Sequence, residues 1–182
     1  MRAIVPAALI TLLAAGCTQG GPGPAPATTS PGTTTSQPES VAPSITRQVP
    51  PEQRRALADA SAKQLCGLVT VDELGKLAFP VGAGAPREIG LEPSVRGCQF
   101  EAQNGSRSIL IGSQPDGFGG LGDEEVELGA VRGTQQLHVN DCTVFAPQAG
   151  ATLQVAVNAP EADSDDCETA QGVAQYVLAG VR

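Results

Sequence analysis

The chain has 182 residues and a formal net charge of −8, from 11 basic and 19 acidic residues. This acidic balance argues against a nucleic-acid-binding protein, which usually presents a basic patch. The sequence contains no run of lysines or arginines that would predict electrostatic adhesion to anionic lipid.

Residues 1–16 have the pattern of an export signal. Arg2 is their one charge, and a short apolar segment that ends in small residues follows it. This segment is shorter than the roughly 20 residues that a membrane-spanning helix needs. The stretch Leu13–Cys17 resembles a lipobox, the motif of bacterial lipoproteins, which implies that Cys17 is acylated and becomes the first residue after cleavage. The alternative is a plain secretory signal with an incidental cysteine.

Residues 17–51 are predicted to be a lipid-anchored tether. Residues 20–40 are rich in Pro, Thr, Ser and Gly and contain no large apolar side chain, so they cannot bury enough surface to form a core. A tether of this length reaches roughly 30 to 100 Å, depending on its stiffness. Because two or more acyl chains hold a protein stably on a bilayer, we expect an extracytoplasmic protein on the outer face of the cytoplasmic membrane.

Residues 52–182 have the size of one domain, and their first part predicts two helices. Pro51 and Glu52 favour a helix start, and the apolar pattern continues to Cys66. Thr70 and Glu73 have capping-box spacing and predict a second, short helix.

The middle of the domain predicts strands. Residues 98–113 contain two extended runs separated by Asn104-Gly105, the residue pair that favours a type I′ hairpin turn. Further strands are expected around residues 126–128, 137–139 and 142–146, and at 151–158, where apolar residues alternate with polar or small ones. A turn is expected over residues 147–150.

The end of the domain predicts a helix that Asp163 or Ser164 can cap. Apolar residues from Cys167 to Val181 recur at spacings of three and four. Together these elements predict an α+β domain in which N-terminal and C-terminal helices pack on a mostly antiparallel sheet with two disulfides.

Four cysteines remain once Cys17 is assigned to lipid. In an exported domain they are expected to form disulfides, and three pairings are open. We prefer Cys66–Cys98 with Cys142–Cys167, because each bond then joins the end of a helix to the start of a strand.

Two motifs resemble ligand sites only in their residue types and spacing. Gly117, Gly119 and Gly122 have the spacing of a dinucleotide fingerprint, but acids follow at once, so a loop between strands is expected. Residues 163–168 gather four carboxylates without the glycine and glutamate that an EF-hand requires, so they are interpreted as a helix start, with weak calcium binding as the alternative.

Catalytic and metal chemistry has little support in the sequence. His138 is the one histidine, and with Cys142 alone it makes a poor metal site. A G-x-S-x-G nucleophile motif does not occur. We predict no cofactor and no metal, and we expect His138 to be a strand residue without a catalytic role.

Four segments resemble a family of actinobacterial lipoproteins, domain of unknown function 3558. They are residues 66–74, 97–101, 141–145 and 165–178. The resemblance covers about residues 60–180, and it implies surface anchoring and cysteine pairing without an assigned activity.

These observations predict a non-enzymatic binding or structural domain of the cell envelope. Its expected partners are the membrane, through the lipid anchor, and an envelope protein. The alternatives are a carrier that holds a small apolar ligand between sheet and helix, and a carboxylate-dependent hydrolase of cell-wall polymers. We expect no nucleic-acid partner.

Overall fold

A computed structural model describes residues 43, 45–90 and 92–182. Cys17, the predicted signal at 1–16 and most of the predicted tether lie outside the described residues. In chain order, the described elements are a 3₁₀ turn at Pro51–Gln53, α1 at Ala62–Leu65, α2 at Val71–Leu77, β1 at Ala85–Ile89, β2 at Val95–Glu101, β3 at Ser108–Pro115, β4 at Glu124–Leu128, β5 at Val131–Leu137, β6 at Asp141–Gln148, β7 at Ala151–Asn158 and α3 at Ser164–Leu178.

The seven strands form one sheet in the order β1-β2-β3-β7-β6-β5-β4, and every neighbouring pair is antiparallel. Strand β7, which is the last strand along the chain, therefore lies in the middle of the sheet. Helix α3 packs on β6 and β7, and α1 packs on β1 and β2. The predicted α+β architecture with an antiparallel sheet and a C-terminal helix is confirmed.

The two shorter predicted helices have different outcomes. Thr70 Oγ1 accepts the Glu73 backbone N–H, and the Glu73 carboxylate accepts the Thr70 N–H, so the predicted capping box opens α2. A single helix from residue 51 to residue 66 is wrong, because only the 3₁₀ turn and the four-residue α1 are helical there. Between them, Arg55 instead forms a parallel bridge with Val181 near the C-terminus.

The hairpin predicted at Asn104-Gly105 joins β2 to β3, but its turn differs from the prediction. Gly105 has a φ of +70°, whereas no described non-glycine residue has a positive φ, so a type I′ turn does not form. The connection is six residues long, and the Asn104 side chain accepts the N–H of Ser106 to stabilise it.

The remaining strands lie where they were predicted, with three differences. Strand β5 begins at Val131, well before the apolar residues that were used to predict it, and Val139 lies outside it and is 76% exposed. Residues Pro147 and Gln148 belong to β6, and the turn is limited to two residues that include Gly150 with a φ of +73°. Strand β1 was not predicted.

The core lies between one face of the sheet and the helices. The side chains on this face come from β2, β3, β7 and β6, and they have almost no exposed surface: Phe100, Ile109, Ile111, Val144, Leu153, Val155 and Val157. Val173 and Val177 of α3 pack against them. Burying a side chain of this size stabilises the fold by about 1.5–3 kcal/mol.

Both disulfides lie on this core side of the sheet. Cys66 pairs with Cys98 and Cys142 pairs with Cys167, with Cα–Cα distances of 4.9 and 5.1 Å. This is the pairing that was preferred from the sequence. One bond ties the end of α1 to β2, and the other ties α3 to β6, so each fastens a helix to the sheet.

Candidate functional site

The glycine motif lies in the loop between β3 and β4, on the sheet face opposite the helices. The Phe118 N–H donates to Thr152 Oγ1 at 3.2 Å, and the Gly122 N–H donates to Thr134 Oγ1 at 2.9 Å. A Cβ at Gly122 would overlap the backbone of Gln135. A strand and not a helix follows this loop, so the glycines allow close packing on the sheet and do not form a dinucleotide site.

The four carboxylates at residues 163–168 form a helix start, as predicted. Asp163 caps α3 by accepting the N–H groups of Asp165 and Asp166. Asp166 is fully buried and lies 3.4 Å from the guanidinium of Arg107. Within the described ranges, no group of three or more His, Cys, Asp or Glu side chains could hold a metal ion.

His138 directly follows β5 and is exposed, and its backbone N–H donates to the Asp141 carbonyl at 2.7 Å. The expectation that it lies within a strand is therefore wrong by one residue. The sulfur of Cys142 is bound to Cys167, so it is not free to join His138 in a metal site.

The segment before the predicted domain boundary packs on the domain. Ile45 contacts the core, and the Arg47 guanidinium lies over the Tyr176 ring, 5.3 Å from its centroid. Arg47 also donates to the Leu68 carbonyl at 2.5 Å. The packed part of the chain therefore begins before residue 52, and the predicted tether joins the domain along α3.

Arg47, Tyr176 and Glu73 form a connected group. The Tyr176 hydroxyl donates to Glu73 Oε1 at 2.5 Å. Burial, this hydrogen bond and the negative charge of Glu73 raise the pKa of Tyr176 to about 12, although Arg47 acts in the opposite direction. Burial acts to raise the pKa of Glu73, but hydrogen bonds from Tyr176 and Thr70, with the Arg47 charge, outweigh it and lower that pKa.

The chain that follows Arg47 runs beside the C-terminal residues. The Arg55 N–H donates to the Gly180 carbonyl at 3.1 Å, and the Arg182 N–H donates to the Arg55 carbonyl at 3.0 Å. Leu57 enters the core with no exposed surface, and its carbonyl accepts a hydrogen bond from Ser113 of β3. These contacts place arginines from opposite ends of the domain next to each other.

A cleft of about 320 Å³ lies between these two segments and α1. Its polar lining residues include Arg54, Arg55 and Arg182, and its apolar lining residues include the buried Leu57, Leu68 and Val181. An open cleft with guanidinium groups beside apolar surface can hold an anion that carries an apolar portion.

The cleft arginines form no ion pair with a carboxylate of the described residues. Arg54, Arg55 and Arg182 have no carboxylate within 4.0 Å in the part of the chain that the structure describes. Asp59 also lines the cleft and offsets part of the positive charge. We identify this arginine-lined cleft as the candidate functional site.

A family model described as proteins of unknown function, DUF3558, matches residues 12–179. The chain belongs to the DUF3558 family. The match begins upstream of Cys17 and continues to the end of α3, so the resemblance noted in the sequence is confirmed for the domain, while the lipid anchor remains a prediction. No curated protein and no solved structure matches the chain.

The sequence did not reveal the cleft. Its arginines lie at positions 54, 55 and 182, too far apart to form a basic run. The one local signal is the Arg54-Arg55 pair, which was interpreted as part of a helix.

Proposed function

We propose that this DUF3558 protein is a lipid-anchored component of the cell envelope whose domain is a non-enzymatic binding module on the outer face of the cytoplasmic membrane. The lipobox-like stretch Leu13–Cys17 supports the anchor, and the family match includes it. The two disulfides support an extracytoplasmic location, because such bonds persist in oxidising compartments.

The arginine-lined cleft is the observation that supports binding. Three guanidinium groups without a described carboxylate partner lie beside apolar side chains. A ligand with an anionic head and an apolar portion would supply the missing counter-charge and cover the apolar surface. The interface between α3 and the sheet is filled by side chains such as Val155 and Val173, so it offers weaker support for a carrier that holds an apolar ligand there.

Replacement of Cys17 tests the anchor. The Cys17→Ala variant is expected to lose acyl incorporation and then to be retained uncleaved or released from the membrane. Metabolic labelling with a fatty acid and fractionation of membranes after a salt wash measure both outcomes. If the variant still gains lipid, the lipobox interpretation is wrong.

Titration with single-chain amphiphiles tests the binding module. Decyl phosphate below its micelle concentration is expected to shift the backbone amide resonances of residues 54–60 and 180–182, whereas decyl glucoside leaves them unchanged. Arg55→Ala should weaken the effect, and Arg87→Ala on strand β1 is the matched control. Equal shifts with both amphiphiles would show that the arginines do not select the ligand.

A further inference from the structure

We propose that the arginine-lined end of the domain rests on the anionic phospholipid headgroups of the membrane that holds Cys17. We define this arginine end by Arg47, Arg54, Arg55 and Arg182. The inference rests on the proposed lipid anchor, and it names the partner of the cleft. The domain would then lie against the bilayer in one orientation.

The arginine end contains two adjoining cavities. The candidate cleft is lined by Arg54, Arg55 and Arg182, and a second cavity of about 500 Å³ is lined by Arg47, Val49 and Arg54. Arg54 therefore lines both cavities, and the four arginines lie in one region of the domain. Such concentrated charge attracts anions, because clefts focus the electrostatic potential.

Most of the hydrogen-bonding capacity of this surface is unused. Arg54 donates from Nε to the Val49 carbonyl at 3.2 Å, and Arg47 donates to Leu68. Within the residues that the structure describes, the side chains of Arg55 and Arg182 have no hydrogen-bond or ion-pair partner. Guanidinium forks match phosphate oxygens in pairs, so these groups are suited to headgroup phosphates.

Nearby carboxylates reduce this charge without cancelling it. Glu52 and Asp59 are the acids of the same exposed segment, and Asp59 lines the cleft. Glu73 approaches Arg47 and is hydrogen-bonded to Tyr176. Among side chains, the four guanidinium groups of the arginine end thus exceed these three carboxylates by one, in a chain whose net charge is −8.

Helix α3 separates the arginine end from exposed acids. Asp163 and Asp165 lie at its N-terminus, while Gly180 just beyond its C-terminus accepts the Arg55 N–H. Its 15 residues span about 22 Å at 1.5 Å each. An anionic membrane would attract the arginine end of this axis and repel the exposed acids at the other end, which favours one orientation of the domain.

The chain that leads to the proposed anchor joins the domain at the same end. Residues Arg47–Pro50 form a wall of the second cavity, and Arg47 lies 30 positions after Cys17 in the sequence. A chain of this length spans at most about 100 Å and therefore allows the arginine end to reach the bilayer surface. Anchoring would also raise the local concentration of headgroups, which favours weak contacts.

Vesicle binding by residues 18–182, the proposed mature chain without its acylated cysteine, tests the inference. This chain keeps both disulfides and the whole described core. We expect it to bind vesicles of phosphatidylcholine and phosphatidylglycerol in equal parts, and to show no binding to phosphatidylcholine alone. Each arginine near an anionic surface corresponds to about a fivefold change in partitioning. Arg54→Ala/Arg55→Ala should therefore weaken binding about 25-fold.

The matched control is Arg87→Ala/Arg132→Ala. It removes the same charge from exposed strand positions that line neither cavity, and it should change partitioning less than about twofold. Raising the salt from about 0.1 to 1 M should release the protein, because the Debye length falls from about 10 to 3 Å.

Three results would overturn the inference even if the chain binds the mixed vesicles. They are equal binding to neutral vesicles, equal weakening by the control pair, and complete release by inorganic phosphate at an ionic strength matched with sodium chloride, which would indicate a soluble-anion site. The anchor is tested separately by acylation of Cys17 in cells. A protein that is acylated but does not bind anionic vesicles would refute the inference while leaving the proposed anchor intact.

Discussion

Tyr176 offers a direct spectroscopic test of how the chain before the domain is fastened to it. It is the single tyrosine of a chain that has no tryptophan, so tyrosinate absorbance reports this residue alone. Its hydroxyl donates to Glu73 of α2, and Arg47 of the preceding segment covers its ring. The perturbation is Glu73→Gln, which removes the charge but keeps a side chain that suits the capping box of α2.

The structure predicts the size of the effect. Burial, followed by the hydrogen bond and charge of Glu73, raises the pKa of Tyr176 from 10.0 to about 12. One pKa unit corresponds to about 1.4 kcal/mol, so the folded state favours the neutral phenol by about 3 kcal/mol. Because the folded state holds this proton more tightly than the unfolded state, that stabilisation is complete below pH 10 and is lost as the pH rises from 10 to 12.

The two partners of Tyr176 should shift its pKa in opposite directions. Glu73→Gln should lower the pKa from about 12 towards 10, because burial remains but the carboxylate charge is gone. Arg47→Gln should raise it, because the guanidinium stabilises the phenolate. The assay is a pH titration of tyrosinate absorbance, with far-ultraviolet circular dichroism recorded on the same samples.

Folded protein in which Tyr176 titrates near 10 would refute this reasoning. Shifts of the same sign in both variants would also refute it, since they would indicate a general loss of packing. Loss of the circular dichroism signal before tyrosinate forms would mark the titration as that of the unfolded chain.

Two further predictions concern stability. The Cys142→Ala/Cys167→Ala variant loses a bond between residues 25 positions apart, worth about 3.5 kcal/mol by loop entropy, so its melting temperature should fall by about 10 °C. An unchanged melting temperature would show that packing alone holds α3. In Gly84→Ala, the new Cβ would lie 2.5 Å from Cys98 Sγ, and calorimetry should show a loss of about 1–3 kcal/mol. Gly75→Ala in α2, where the space is open, is its control and should be neutral or stabilising.

Short-range signals in the sequence were enough to predict several elements. The Thr70 and Glu73 side chains satisfy backbone groups within one turn, so the start of α2 could be predicted from four residues. The alternation in residues 151–158 predicted β7, because one face of that strand is buried against helices. For α2 the stabilising contacts lie within the segment itself, and for β7 the segment itself shows the alternating pattern.

Other elements depend on contacts that are distant in the sequence. Strand β1 contains Pro86 and exposed residues, and it forms because β2 supplies hydrogen-bond partners at the edge of the sheet. The helix expected through Arg55 does not form, since that backbone pairs with residues 180–182. Helix propensity is worth less than about 1 kcal/mol per residue, and tertiary pairing overrides it.

The sequence by itself determined the predicted export signal, the even number of cysteines left for disulfides, the alternating strands and the capped helices, because each depends on neighbouring residues or on composition. Tertiary structure decided that β7 lies between β3 and β6 and that Arg47, Arg54, Arg55 and Arg182 share one end of the domain. The physical reason is that long-range backbone pairing and burial of the core bring together segments that carry no local sign of one another.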